Sequence, residues 1–507
     1  MSTCAMTRDV FPPLLFLLLF LSGFGMSYGC LQDPASAYRF TGTVCRLTYP
    51  AAVVLNEKTT KVIEAAFQHA KYPSMKGEKS LLFIGRVTYG LDNLEIHNLS
   101  IGRSAFELHA GEGIAMEISN VSAVFRGTIQ YGYGSWLVNV AHSVDFEIES
   151  QIDLGINPKL YCGEGKVAAD TSDCYLNFHK LHLHLQGDRE PNWLKKLFTD
   201  FITFTVKLVI KGQICKEINK VANILADFIQ DTAEDFLSVG DISVDIGVTS
   251  APVITANYIE SYHKGLTKYN NTSAVISDSV FHPSQLTENR MLYFWLSDQV
   301  LIPLLAAAHQ DGRLQLNISG AEITELFKTS LSTAMPEFIR KCLLESGSPE
   351  LRVWSSSAPF LNTSTMGTTV WAKASGQLNC GSQGTPTLFF ETHVTMDITA
   401  SYAEKKLFLH GNVSEIFIFQ AELPSQNQQL LDQVQLEFIR EAVEKIGIPK
   451  VLSVLEVELT RLLDKQGTNL FDIYNPTVLP RDGFVVIQMD FGFPHHLLVE
   501  FLKRTLQ

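Results

Sequence analysis

Charge is what this chain has least of. Only 18% of its 507 residues are Asp, Glu, Lys or Arg, where an ordinary soluble domain carries about 25%. The balance is −13 and no block of Lys and Arg occurs, which excludes a nucleic-acid binder and strong attraction to anionic lipid heads. Cysteine is scarce as well, with eight in all and no CxxC, so neither a disulfide-dense scaffold nor a redox or zinc-ribbon motif fits. HExxH and the P-loop are missing too, which removes the two commonest signatures of hydrolytic metal and nucleotide chemistry. A GxSxG does occur at Gly25–Gly29, but no strand precedes it and no helix follows it, as a nucleophile elbow requires. Past that point no uncharged apolar stretch reaches the about 18 residues that a membrane-crossing helix needs.

What is present begins with Leu14–Leu21, "LLFLLLFL", behind Arg8 and ahead of small residues up to Gly29. That run is too short to span a bilayer and sits where a secretory h-region belongs. Residues 1–29 are therefore expected to be a signal peptide, and the protein to be secreted. Cys4 would leave with it, so seven cysteines remain and at least one is unpaired or bonded to another chain. Seven sequons fit an extracellular fate, at Asn98, Asn120, Asn270, Asn271, Asn317, Asn362 and Asn412. "HKLHLH" at His179–His184 resembles a metal lure, yet a strand there turns Leu181, Leu183 and Leu185 inward and the histidines to solvent. No metal site is expected.

Two long alternating runs set the fold class. From Val144 to Ile156 the even positions are mostly apolar and the odd ones polar, and the pattern returns from Leu388 to Tyr402. Period two marks half-buried antiparallel strands, here far longer than the usual five or six residues. Each run is framed by helical patterns. Asn56–Ala70, with Asn56 as N-cap, and a tract from about Asn192 to Leu237 frame the first. "RMLYFWLSDQVLIPLLAAA", "LLDQVQLEFIREAVEKIG" and "KVLSVLEVELTRLLDK" frame the second. The repeated order predicts an α+β chain of two related domains, 30–267 and 289–493, joined by a polar linker at 268–288. Residues 494–507 close the sequence as an amphipathic helix opening at Pro494, with Leu497, Leu498, Phe501, Leu502 and Leu506 on one stripe.

Asp173–Asn219 ("DCYLNFHKLHLHLQGDREPNWLKKLFTDFITFTVKLVIKGQICKEIN") resembles the lipid-transfer and lipopolysaccharide-binding protein family. So do Gly77–Asn93, Ala251–Gly265, Arg290–Val300, Leu470–Ile473 and Arg481–Leu502, which carries "FGFPHHLLVEFL". The likeness is dense over Cys45–Ser319 and Lys405–Leu506 and loose over Gly320–Pro386.

The resemblance implies an elongated boomerang of two barrels of long twisted strands, joined by a central sheet and traversed by an apolar tunnel. Cholesteryl ester and triglyceride would occupy that tunnel, phospholipid would plug its openings, and the terminal helix would act as a lid at its mouth. A monomer working at lipoprotein surfaces in plasma is implied, with bound lipids and no cofactor or catalytic residue. The resemblance also implies a disulfide between Cys174 and Cys215, free thiols at Cys30, Cys45 and Cys162, and an open question at Cys342 and Cys380. Tunnel-neck contacts fall on Gln230, Ser261 and His263, while Thr232 stands where the family has arginine. A phospholipid-transfer type is the nearest alternative. A lipopolysaccharide-binding defence protein, which should be basic at its tip, and a secreted esterase using Ser261 are more distant ones.

Overall fold

The computed structural model describes residues 30–31, 34–67, 72–81, 85–135, 138–186, most of those between 203 and 223, 238, 240–270, 272–281, 287–328, 334–345, 349–380, 387–403, 406–424, 429–463 and 472–492. The expected signal peptide, the terminal helix with its five apolar residues, Gln230, Thr232 and Asn271 lie outside them.

Both long runs are strands. Val138–Ile156 is 19 residues long, about 60 Å at about 3.3 Å per residue, and Leu388–Ala403 is its counterpart in the second half. Burial alternates along the first as the period requires, with Phe146, Ile148 and Ile152 at 2%, 0% and 3% exposure. Among the described residues, Met75–Leu81, Gly85–Ser100, Gly113–Ser135, Val138–Ile156 and Cys174–Gln186 form one antiparallel sheet in that order, with Arg103–His109 beside Gly113–Ser135. The second sheet runs Gln315–Ser319, Glu350–Ser355, Gly367–Asn379, Leu388–Ala403, Lys406–Leu423 and Gln429–Leu430, with Phe360–Ser364 beside Gly367–Asn379. The register shifts at Gln151/Ile152, Glu391/Thr392 and Thr395/Met396. Such bulges bend a strand too long to stay flat.

A third sheet joins the halves, in the order Val253–Ile254, Tyr258–His263, Thr43–Thr48, Leu292–Ser297, Phe484–Gly492 and Asp472–Arg481. One face is a packed aromatic core, where Trp295 lies 4.6 Å from both Phe281 and Phe484. Arg46 and Glu260 are buried on that face as an ion pair of 2.6 Å, and Glu260 also accepts the Tyr262 hydroxyl. The described part of 268–288 is woven into the fold. Leu266–Tyr269 pairs with Ser243–Asp245 and Thr272–Ser273, while Ile276 and Phe281 are buried.

Three expectations need correction. The helix expected from Asn56 spans Tyr49–Phe67, because Pro50 suits a first turn where no N–H is needed and the Tyr49 N–H is held by the Asn257 carbonyl at 2.6 Å. Asn56 is an interior residue whose Oδ1 accepts from the Ser104 hydroxyl at 2.9 Å. The helix expected over "RMLYFWLSDQVLIPLLAAA" is a strand, Leu292–Ser297, followed by the helix Asp298–Gln310 with Ser297 as N-cap. Flanking strands on both sides capture the aromatic run, and tertiary pairing outweighs helical periodicity. Cys30 and Cys162 are bonded to each other rather than free. The Leu31 N–H donates to Thr249 O and the Val248 N–H to Gly165 O, so the amino-terminal segment and the hairpin of Cys162 meet, Cα atoms 5.8 Å apart, within bridging reach. Cys174 with Cys215 and Cys342 with Cys380 are the other two pairs, and Cys45 is a free thiol.

Candidate functional site

The inner face of the first sheet does not close on itself. Between it and the helical residues around 210–222 lies an apolar cavity of about 180 Å³. Its sheet wall includes Ile96, Met116, Phe125, Ile152, Leu154 and Ile156. Ile214, Ile218 and Ala222 form the other wall; four-residue spacing puts them on one helix face, while Lys216 and Lys220 on the far side are exposed. Among the described residues Thr171 alone brings a side-chain oxygen to the lining, and that hydroxyl is hydrogen-bonded to Asn219 Oδ1 at 3.0 Å. The disulfide from Cys174 to Cys215 ties the sheet edge to the helix beside Ile214. Such a space cannot orient a polar ligand, but can hold a hydrocarbon chain.

The second feature is the other face of the central sheet. Cross-strand partners share a face, and one row reads Ser261, Cys45, Phe294, Ile487 across four strands. Phe294 is 38% exposed. Cys45 and His263 are half-buried on this face. Ser261 and His263 are brought together, Oγ to Nε2 at 2.8 Å, and Nδ1 lies 2.8 Å from the Ile246 carbonyl. A carbonyl only accepts, so Nδ1 carries the proton and Nε2 accepts from the Ser261 hydroxyl. Burial lowers the His263 pKa below its ordinary 6.5, against an opposing pull from the Ile246 bond, and the ring is neutral at physiological pH. Burial, helped by Glu260, pushes the Cys45 thiol up to about 12, which leaves it an unreactive neutral group.

This row offers a neutral hydroxyl on an apolar floor. It is a poor nucleophile site, because Nδ1 faces a neutral carbonyl instead of the carboxylate that stabilises an imidazolium in a triad. Ser261 and His263 are not among the residues lining the cavity. Most of the cavity wall was not singled out as a site from the sequence, although the even positions of the alternating run contain Ile152, Leu154 and Ile156. His179, His182 and His184 are exposed, and no His, Cys, Asp and Glu group among the described residues could hold a metal. No described helix is long and apolar enough to cross a membrane.

Residues 54–229 match the LBP / BPI / CETP family, N-terminal domain, and residues 240–493 match its C-terminal domain. The chain belongs to the LBP / BPI / CETP family. It is 45% identical over 479 residues to the cholesteryl ester transfer protein of Gallus gallus, covering 92% of this chain and 94% of that one. With the cholesteryl ester transfer protein of Homo sapiens it shares 43% over 493 residues, 96% and 98% of the two chains. The phospholipid transfer protein of Mus musculus is 20% identical over 467 residues, 89% and 90%.

Proposed function

We propose that this chain is a secreted carrier that exchanges neutral lipids, cholesteryl ester for triglyceride, between lipoprotein particles without making or breaking a covalent bond. The observation that carries the reading is the apolar cavity between the first sheet and the Ile214, Ile218 and Ala222 stripe. An acyl chain of roughly sixteen carbons costs on the order of 13 kcal/mol to expose to water, at about 0.8 kcal/mol per CH₂. Free diffusion is negligible against that cost, whereas a hollow protein gives the chain a covered path. The 45% identity to a cholesteryl ester transfer protein over most of both chains, against 20% to a phospholipid transfer protein, supports neutral lipid as the cargo.

In this reading residues 30–267 and 289–493 are two barrels sharing the central sheet, with 268–288 as the linker between them. Gln230, Ser261 and His263 are the polar contacts of the tunnel neck. Thr232 makes that neck neutral, so phospholipid at the opening is held by its tails more than by its phosphate. Leu497, Leu498, Phe501, Leu502 and Leu506 of 494–507 cover the mouth until a lipid surface replaces them. The carrier works as a monomer, and its glycans sit on the sequons.

The test is to extract the purified secreted protein, weigh its bound lipids by mass spectrometry, and follow labelled steryl ester, triglyceride and phospholipid between particles. Bound and transferred steryl ester and triglyceride are expected. Movement of phospholipid alone would favour a phospholipid carrier, and free sterol released by wild type but not by Ser261→Ala would favour an esterase.

A further inference from the structure

The outer face of the second sheet carries aromatic side chains that its own fold does not cover. Phe360 is 52% exposed and Trp371 41%; they are cross-strand partners with ring centroids 5.6 Å apart. Two residues along the same strand stands Asn362, exposed, with Thr363 and Ser364 completing its sequon. Residues i and i+2 of a strand point to one face about 7 Å apart, so the Asn362 amide projects beside the ring pair. Three of the other described sequon asparagines have different surroundings. Asn317 faces Arg352, Asn412 faces Asp397, and the N–H of Asn120 is taken by Asp153.

We propose that Asn362 carries an N-glycan whose first sugar lies over Phe360 and Trp371, so that a covalent modification supplies the missing cover of this face. The C–H bonds on one side of a pyranose ring are apolar and weakly positive, which suits the negative face of an aromatic ring. The strand also needs nothing from the amide. Thr363, on the opposite face, is the residue held inside, by Asp298. In the modification, the bond from C1 of the terminal N-acetylglucosamine to a lipid-pyrophosphate donor breaks and a bond from that C1 to Nδ2 of Asn362 forms. The amide loses one proton and the lipid pyrophosphate leaves with the bonding pair; nothing is oxidised or reduced. The inference rests on passage through the secretory route, and is separable from lipid transfer.

The full chain is secreted from mammalian cells and its glycopeptides are read by mass spectrometry. A sugar on Asn362 is expected; a bare Asn362 alongside occupied sequons elsewhere overturns the proposal, whereas a chain bare at every sequon overturns the secretory reading too. Enzymatic trimming of the folded protein to a single N-acetylglucosamine should leave the melting temperature unchanged, while Asn362→Gln should lower it by about 2–4 °C. In a Phe360→Ser background the same Asn362→Gln change should have no further effect. An equal drop with and without Phe360 overturns the stacking.

Discussion

The carboxylate of Asp298 accepts both the backbone N–H and the hydroxyl of Thr363, at 2.7 and 2.6 Å, in a site where both residues are buried. Asp298 opens the helix that follows a central strand, and Thr363 lies in a strand of the second sheet. The joint continues through the Thr363 carbonyl, which accepts from the Gly483 N–H, while the Gly483 carbonyl accepts from the Asp298 N–H. This closed ring of hydrogen bonds fixes the second sheet against the central one. A carboxylate can accept from both donors at once, and its charge lies at a helix N-terminus where it is favoured. Asp298→Ala removes both accepting oxygens, so the buried N–H of Thr363 loses its partner. A loss of about 2–3 kcal/mol is expected, read as a lower denaturant midpoint of the unfolding phase assigned to the second half.

Joints of this kind were invisible in the sequence, because Asp298 and Thr363 are 65 positions apart and nothing local marks either. The long strands were legible, since Val144–Ile156 has to alternate if one side is buried and the other wet, and it does. Leu292–Ser297 was misread as helix because its neighbours in the central sheet come from distant segments, Thr43–Thr48 and Phe484–Gly492. For the same reason no local pattern marked the cavity, and only the family resemblance implied an interior space. Ile152 reads alike whether it packs against protein or borders empty space. The pairing of Cys30 with Cys162 depends on where a hairpin lands, which spacing does not encode.

Half-buried His263 makes stability depend on pH. Its folded pKa lies below the ordinary 6.5, so the unfolded chain binds the extra proton first and stability falls as pH drops below about 6.5. The slope from this one group can reach about 1.4 kcal/mol per pH unit until the folded ring also protonates. In melts taken from pH 7.5 to 5, wild type should lose more than His263→Gln, which cannot titrate. Parallel curves for the two proteins would mean that His263 is solvated in the folded state.

The cavity itself can be filled from the helix side. Ala222 borders it from the same face as Ile214 and Ile218, and Ala222→Phe would put a ring into space that the proposal assigns to lipid. Overpacking a tight core costs about 1–3 kcal/mol, but here the room exists and the protein should stay folded. The expected result is less steryl ester per mole of purified protein and slower transfer, with an unchanged circular dichroism spectrum. Full lipid loading with a raised melting temperature would show that the space is an ordinary void which the ring merely repairs.

Residues 494–507 test the lid. The apolar stripe of Leu497, Leu498, Phe501, Leu502 and Leu506 faces two competing surfaces in the proposed cycle, the tunnel mouth in plasma and lipid at a particle. A helix of about fourteen residues is marginal alone in water, so its position follows whichever apolar surface is offered. Deleting Pro494–Gln507 leaves the strand Phe484–Gly492 and its pairing with Leu292–Ser297 in place, and the truncated chain should fold and be secreted. Its transfer of steryl ester should fall at least tenfold while the Asp298 and Thr363 joint and its unfolding midpoint stay unchanged. Replacing Phe501 and Leu502 with Ser should give the same defect in the full-length chain, separating loss of the apolar stripe from loss of chain length. Normal transfer by both variants would leave the mouth of the carrier to be covered by something other than this helix.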